Sequence, residues 1–131
     1  ILSVLNGNVS IWDAKTGEFI RCSEEEESYA RHASFNPRGD LIVTACAYGP
    51  PRVWSVRTGK CIRILRGHSD TVLSASYSHD GERIVTASND GTVRVWNALT
   101  DECVRVLRHN DKTGFRSALY SPDDSMIVTR Q

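Results

Sequence analysis

This 131-residue sequence has no excess of positive or negative charge, no long apolar run and no closely spaced pair of cysteines. Sixteen basic residues balance sixteen acidic residues, so no net positive field favours nucleic acid or an anionic membrane surface as a partner. No apolar run approaches the ~20 residues that a membrane-spanning helix needs. Residues 1–5 have neither the basic region nor the cleavage site of a signal peptide, and we expect them to continue an earlier part of a longer chain.

The four cysteines, Cys22, Cys46, Cys61 and Cys103, form no Cys-x-x-Cys pair and no zinc-finger spacing with histidine. Cys61 and Cys103 each begin an apolar run, where a small apolar side chain is typical of a strand. We therefore expect neither a metal nor a cofactor. Free buried thiols suit a reducing compartment, which favours the cytoplasm or the nucleus.

What the sequence does contain is an internal repeat. Trp12, Trp54 and Trp96 lie 42 residues apart, and the string at 41–45 recurs at 83–87. A further copy begins at Met126, 43 residues later, so one residue is inserted between about 108 and 115. A period in this range is typical of solenoids, propellers and arrays.

Each repeat contains four short strand patterns and no helical period. In the most regular copy, Thr92 to Trp96 alternates polar and apolar side chains, and Asp-Gly turns at 80–81 and 90–91 separate neighbouring runs. We predict strands over 72–77, 83–88, 92–96 and 103–107, and over 30–35, 41–46, 52–55 and 61–64. Partial copies give strands over 1–5, 9–12 and 19–22, and over 115–120 and 126–130.

The chain is thus predicted to be all-β, with complete four-stranded units at 29–64 and 71–107 and partial units at 1–22 and 114–131. A small meander cannot bury both faces alone. Stacking such units face to face buries them, and closing the stack into a ring removes the open ends.

Gly67-His68, Asp80-Gly81, Asp90-Gly91 and Trp96-Asn97 fall in register within one repeat, and another carries Trp12-Asp13. In this combination the sequence resembles the WD-repeat β-propeller family. The resemblance implies antiparallel four-stranded blades, two complete and two partial. It also implies a section of a larger propeller, whose remaining blades are supplied by the same chain or by another copy.

The resemblance further implies a buried polar network of His68, Thr86, Asp90 and Trp96 with a structural role. A histidine ring is able to bridge a carboxylate and a hydroxyl to which an indole N–H donates. Of this network, the preceding repeat has only the counterparts Thr44 and Trp54, and the first repeat has Trp12.

The repeat at 29–64 departs from this pattern. Glu26 stands where His68 stands, Tyr48 replaces Asp90, and Pro50-Pro51 replaces the residues that open the third strand. We expect this blade to depend on packing more than on polar bonding.

In the family, partners bind the face built by the blade-to-blade loops and by the loops between second and third strands. Here these are residues 23–29, 48–51, 66–70, 89 and 109–112. The candidate contact residues are Glu24, Glu25, Glu26, Glu27, Tyr29, Tyr48, Ser69, Asn89 and His109. The four glutamates form either an acidic patch for a basic segment or a solvated loop. Tyr48 is either an exposed contact residue or part of a turn that lost its aspartate.

The sequence shows no Gly-rich phosphate loop, no nucleophile elbow and no metal-ligand spacing, so we expect no enzyme activity and no small-molecule substrate. The leading interpretation is a non-catalytic scaffold that docks a protein or peptide segment, which is basic if the glutamates are contacts, within a multiprotein assembly. The alternative is an accessory propeller of a larger enzyme or signalling protein. Direct binding of nucleic acid or phosphoinositide is disfavoured by the neutral overall charge.

Overall fold

Four separate antiparallel sheets make up the structure, a computed structural model that describes residues 1–22, 29–109 and 113–131. Every regular element in these ranges is a β-strand, and neighbours in sequence are neighbours in each sheet. The strands are β1 (Leu2–Leu5), β2 (Asn8–Trp12) and β3 (Phe19–Cys22) in the first sheet; β4 (Ala30–Phe35), β5 (Leu41–Cys46), β6 (Arg52–Ser55) and β7 (Cys61–Ile64) in the second; β8 (Val72–Tyr77), β9 (Arg83–Ser88), β10 (Thr92–Asn97) and β11 (Cys103–Arg108) in the third; and β12 (Ser117–Tyr120) and β13 (Ile127–Arg130) in the fourth. No helix able to cross a membrane occurs in these ranges.

The all-β prediction and the antiparallel four-stranded sheets are confirmed. The strand bounds of the two complete sheets match those predicted, except that β10 and β11 each extend one residue further. The fourth sheet was predicted to begin at Phe115, which is wrong. The Phe115 N–H instead donates to the Ser88 carbonyl at 2.9 Å, so Phe115 belongs to the connection from the third sheet, and β12 starts at Ser117.

Pro50 and Pro51 explain the main difference between the two complete sheets. Proline has no N–H to give to a sheet ladder. The strand β6 accordingly begins only at Arg52 and has four residues, whereas its counterpart β10 has six.

The sheets also repeat an irregularity at each tryptophan. Register shifts lie between Ile11 and Trp12, between Val53 and Trp54, and between Val95 and Trp96. An extra residue on one strand bends it and re-aims the neighbouring side chain. In the two complete sheets, this bulge accompanies a tryptophan buried against the preceding sheet.

Three apolar clusters hold the sheets together face to face. Trp54 packs with Val9 and Ile11 between the first and second sheets, and Trp96 packs with Val43 and Val53 between the second and third. A third cluster joins the third and fourth sheets. Its members are Val85, Ala87, Val93, Val95, Phe115 and Ala118. Each sheet thus buries both faces where it has two neighbours, which is the reason a meander of short strands persists.

A polar clamp reinforces the contact between the third and fourth sheets. Asp124 occupies the turn position held by Gly39 and Gly81 in the other repeats, with φ of 57°. Its carboxylate accepts the backbone N–H groups of His79 and Asp80, both at 2.9 Å, and the His79 Nδ1–H at 2.9 Å.

Candidate functional site

Connections at one end of the strands form a continuous surface that we call the loop face. It comprises the turns at 47–51 and 89–91 and the connection at 65–71. In an antiparallel meander alternate connections lie at the same end, so the turn inside one sheet meets the connection to the next sheet.

A groove of about 560 Å³ lies on the loop face between the second and third sheets. Tyr48 and Pro50 line one wall, and residues 66–71 line the other. The Thr71 hydroxyl donates to the Ala47 carbonyl at 3.1 Å and joins the two walls. Tyr48 is 71% exposed, and Pro50 and Pro51, which follow it after Gly49, restrict the backbone of the turn.

A chain of hydrogen bonds lies directly beneath this groove. His68 Nδ1 lies 2.7 Å from Asp90 Oδ2, His68 Nε2 lies 2.7 Å from Thr86 Oγ1, and Trp96 Nε1 donates to the same Thr86 oxygen at 2.9 Å. A carboxylate only accepts, so the Nδ1 atom carries the proton and Nε2 accepts from the Thr86 hydroxyl. The structure therefore brings together the four residues that the sequence analysis grouped.

Burial and hydrogen bonding together determine the pKa values of His68 and Asp90. Burial lowers the pKa of His68, and the hydrogen bond that its Nδ1–H donates to Asp90 only partly opposes this shift, so the ring is neutral at pH 7. Burial acts to raise the pKa of Asp90, but hydrogen bonds from Thr92, His68 and Ser69 outweigh it and hold that pKa at about 2. The pair is thus a neutral imidazole donating to a carboxylate.

This assignment predicts an acid-sensitive fold. The folded pKa of His68 lies below its unfolded value of about 6.5, so its contribution to stability is present above that pH and is lost as the pH falls. We expect the free energy of unfolding to fall between about pH 7 and pH 5. Urea denaturation at both pH values measures this change, and His68→Asn should remove part of it. An equal pH dependence in the variant and the parent chain would contradict the assignment. The stability that comes from the low pKa of Asp90 is lost only as the pH falls below about 4.

Gly67 precedes His68 because a side chain there would meet the core. A Cβ at this position would lie 3.1 Å from Trp96 Cη2 and would also meet the Arg94 guanidinium. The small residue therefore lets the connection close tightly over the indole.

The other tryptophans make shorter versions of the network. Trp54 Nε1 donates to Thr44 Oγ1 at 3.0 Å, and Trp12 Nε1 donates to Ser3 Oγ at 2.9 Å. Ser3 was not predicted, although its position on the strand paired with that of Trp12 is the position that Thr44 has relative to Trp54. Thr92 was also missed, and its hydroxyl donates to Asp90 Oδ1 at 2.6 Å. The sequence does place this hydroxyl side chain two positions after Asp90, which could have indicated the bond.

The predicted contact residues do not all meet at one place. Tyr48 and Ser69 share the groove, and the Ser69 N–H donates to Asp90 Oδ2 at 3.1 Å. Tyr29 instead packs its ring against Gly7, where a Cβ would lie 2.6 Å from the ring. Asn89 lines a separate depression with Gly114, and His109 is exposed beyond β11. The glutamates at 24–27 lie outside the described residues.

The polar network beneath the groove is closed to solvent. The side chains of His68 and Asp90 are 1% and 4% exposed, so neither faces the groove as an acid or base. Within residues 1–22, 29–109 and 113–131, no three histidine, cysteine, aspartate or glutamate side chains are grouped to hold a metal ion. What the groove offers outward is an aromatic ring, a proline, the cation of Arg66 and the carboxylate of Asp70.

Comparison with known protein families gives a match within the third sheet and the connections around it. The family model described as WD domain, G-beta repeat matches residues 59–97, which include His68, Thr86, Asp90 and Trp96. No curated protein matches the sequence.

Proposed function

We propose that the chain is a non-catalytic scaffold that docks a protein or peptide segment on its loop face, because residues 59–97 match the WD-repeat family, whose repeats generally mediate protein–protein interactions. The observation that carries this proposal is the groove beside Tyr48. An exposed ring on a rigid turn offers contact area at a low cost in conformational entropy.

The buried network supports this function by fixing the groove wall. Asp90 holds the Ser69 N–H, and His68 ties the same connection to Thr86 within β9. A wall that is ordered before binding loses less entropy when a partner arrives.

We further propose that the docked segment is basic. Glu24, Glu25, Glu26 and Glu27 precede Tyr29 in the sequence, and four carboxylates in a row favour lysine-rich or arginine-rich partners. Such a surface acts mainly on the association rate and on its salt dependence. We also propose a location in the cytoplasm or nucleus, which the free thiols of Cys61 and Cys103 support.

The test uses the partner that co-purifies with the intact protein. We expect Tyr48→Ala to weaken its binding about tenfold or more, because aromatic residues at the centre of interfaces often contribute at least ~2 kcal/mol. The matched control is Ile62→Ala on the outer strand β7 of the same sheet, where Ile62 is 47% exposed and lies outside the groove. Isothermal titration calorimetry measures both affinities. Unchanged affinity in the Tyr48 variant would refute docking at this groove.

The basic character of the segment is tested separately. Replacing the four glutamates with glutamine should slow association and flatten its dependence on salt, while Tyr48 still contributes. An association rate that is the same in both proteins at low salt would contradict a basic partner without contradicting the groove.

A further inference from the structure

A large cavity lies between the third and fourth sheets, beside the strand β13. It has a volume of about 770 Å³, and its apolar and aromatic lining includes Val95, Leu107, Tyr120 and Ile127. Leu107 is 37% exposed, and Met126, which also lines the cavity, is 66% exposed. Apolar side chains are thus presented to solvent together in one concave place, which is typical of an interaction site.

The internal repeat indicates what such a lining surrounds. One repeat earlier, the positions of Val95, Leu107, Tyr120 and Ile127 are held by residues of a single buried cluster that also contains Trp96. These residues are Val53, Leu65, Tyr77 and Ile84. The cavity beside β13 therefore has the same kind of lining that encloses an indole between the second and third sheets.

The hydroxyl of Thr129 is a second and independent indication. In each of the other three sheets, the hydroxyl residue at this position accepts a tryptophan N–H. The pairs are Ser3 with Trp12, Thr44 with Trp54, and Thr86 with Trp96. Thr129 lies 43 residues after Thr86 and is exposed, and no indole reaches its hydroxyl within the part of the chain that the structure describes.

The strand β13 also has an edge that pairs with no other described strand. Its counterpart β9 pairs along this edge with β10, where Trp96 lies opposite Ile84. An exposed strand edge is a template for the addition of another strand. A strand added to β13 in the same register places a tryptophan opposite Ile127, with its indole in the cavity and its N–H at the Thr129 hydroxyl.

Arg105 completes the correspondence between the two places. Its counterpart Arg63, on the outer strand of the second sheet, donates to the Ala98 carbonyl in the turn that follows β10. Arg105 has the same position on β11 and lines the cavity. A turn that follows the added strand would offer Arg105 the same kind of acceptor.

We propose that this cavity, which we call the β13 cavity, is the docking site of a β-strand that carries a tryptophan. The backbone of this strand extends the fourth sheet, and its indole fills the cavity and donates to Thr129. Trp12, Trp54 and Trp96 each lie on a strand that is already paired on both sides, so a second copy of these residues cannot supply it without losing a strand pair. The occupant is therefore a polypeptide segment from outside residues 1–131.

The experiment places photo-methionine, a photoreactive analogue, in the intact protein. Met126 is the only methionine of the 131-residue sequence, and it lines the cavity. Its counterpart Arg83 lies opposite Asn97, which directly follows Trp96. After irradiation, we expect mass spectrometry to find Met126 joined to a peptide next to a tryptophan of that peptide.

Two variants on β13 test the contact with the indole. Thr129→Val keeps the volume and removes the acceptor, so amide exchange over 127–130 should become about tenfold faster, because the buried indole N–H loses its partner. Val128→Thr is the matched control, since alternate side chains of a strand point to opposite faces, and exchange should not change. Tyr48→Ala should leave the cross-link unchanged, because the β13 cavity is separate from the groove on the loop face.

Three results would overturn this proposal. A cross-linked peptide without tryptophan would show that the cavity takes a different side chain. The absence of any cross-linked peptide would show that the edge of β13 is open to solvent in the intact protein. Equal exchange over 127–130 in the Thr129→Val and Val128→Thr variants would show that no indole binds at Thr129.

Discussion

Replacing Trp96 with alanine is expected to lower the free energy of unfolding by about 3–5 kcal/mol. Trp96 is fully buried, packs between the second and third sheets, and places its indole N–H on Thr86. The substitution removes both the largest fully buried side chain and the donor at the end of the network. Chemical denaturation, read from the midpoint and slope, measures the loss.

Trp12→Ala is the matched control for this prediction. Trp12 is only partly buried and contacts Phe19 edge-on at 5.4 Å, so we expect a loss of about 1–2 kcal/mol. Equal losses for the two substitutions would show that the contact between the second and third sheets is not the main core of the molecule.

Thr86→Val is expected to lower the free energy of unfolding by about 2–4 kcal/mol, with little change in volume. The hydroxyl of Thr86 serves two buried groups, the indole N–H of Trp96 and the Nε2 atom of His68. Valine leaves both without a partner, and each unpaired buried group costs about 1–3 kcal/mol. Denaturation of the variant and the parent chain at pH 7 measures this loss.

Thr44→Val in the second sheet is the control, because Thr44 receives the Trp54 indole but has no histidine counterpart. We expect about half the loss seen for Thr86→Val. If both substitutions lower the free energy of unfolding equally, the bond between Thr86 and His68 contributes no stability. The two sheets would then depend equally on polar bonding.

Most strand positions could be predicted from the sequence because local chemistry determines them. Alternating side chains in β10 and glycines in the turns favour the same strand positions that the packing of the folded chain requires. Pro50 and Pro51 predicted a shortened third strand in the second sheet, and β6 is shorter than β10. The start of β12 was missed because Phe115 bonds to Ser88 in another sheet, and no local pattern encodes such a contact.

The candidate site was only partly predictable for the same reason. The repeat indicated His68, Thr86, Asp90 and Trp96, because their spacing is regular. Thr92 was not predicted as a member of the network, and its bond to Asp90 Oδ1 becomes apparent only from the structure. The groove is formed by two connections that are separated in sequence, so no local pattern encodes it.

Tyr29 makes a packing contact that the sequence does not indicate. The sequence indicates an exposed aromatic residue in a loop, which is typical of a contact residue. In the structure its ring packs against Gly7 of the first sheet and lies 5.9 Å from the Arg31 guanidinium. A tertiary contact thus gives this ring a packing role, and Tyr48 is the better-presented aromatic residue on the loop face.

Hydrogen–deuterium exchange of the intact protein, with and without its co-purifying partner, tests the central claim most directly. Docking on the loop face predicts slower exchange at 47–50 and 66–71 when the partner is bound, and the effect should disappear with Tyr48→Ala. Protection confined to the outer faces of the first and fourth sheets, with 47–50 and 66–71 unchanged, would contradict it.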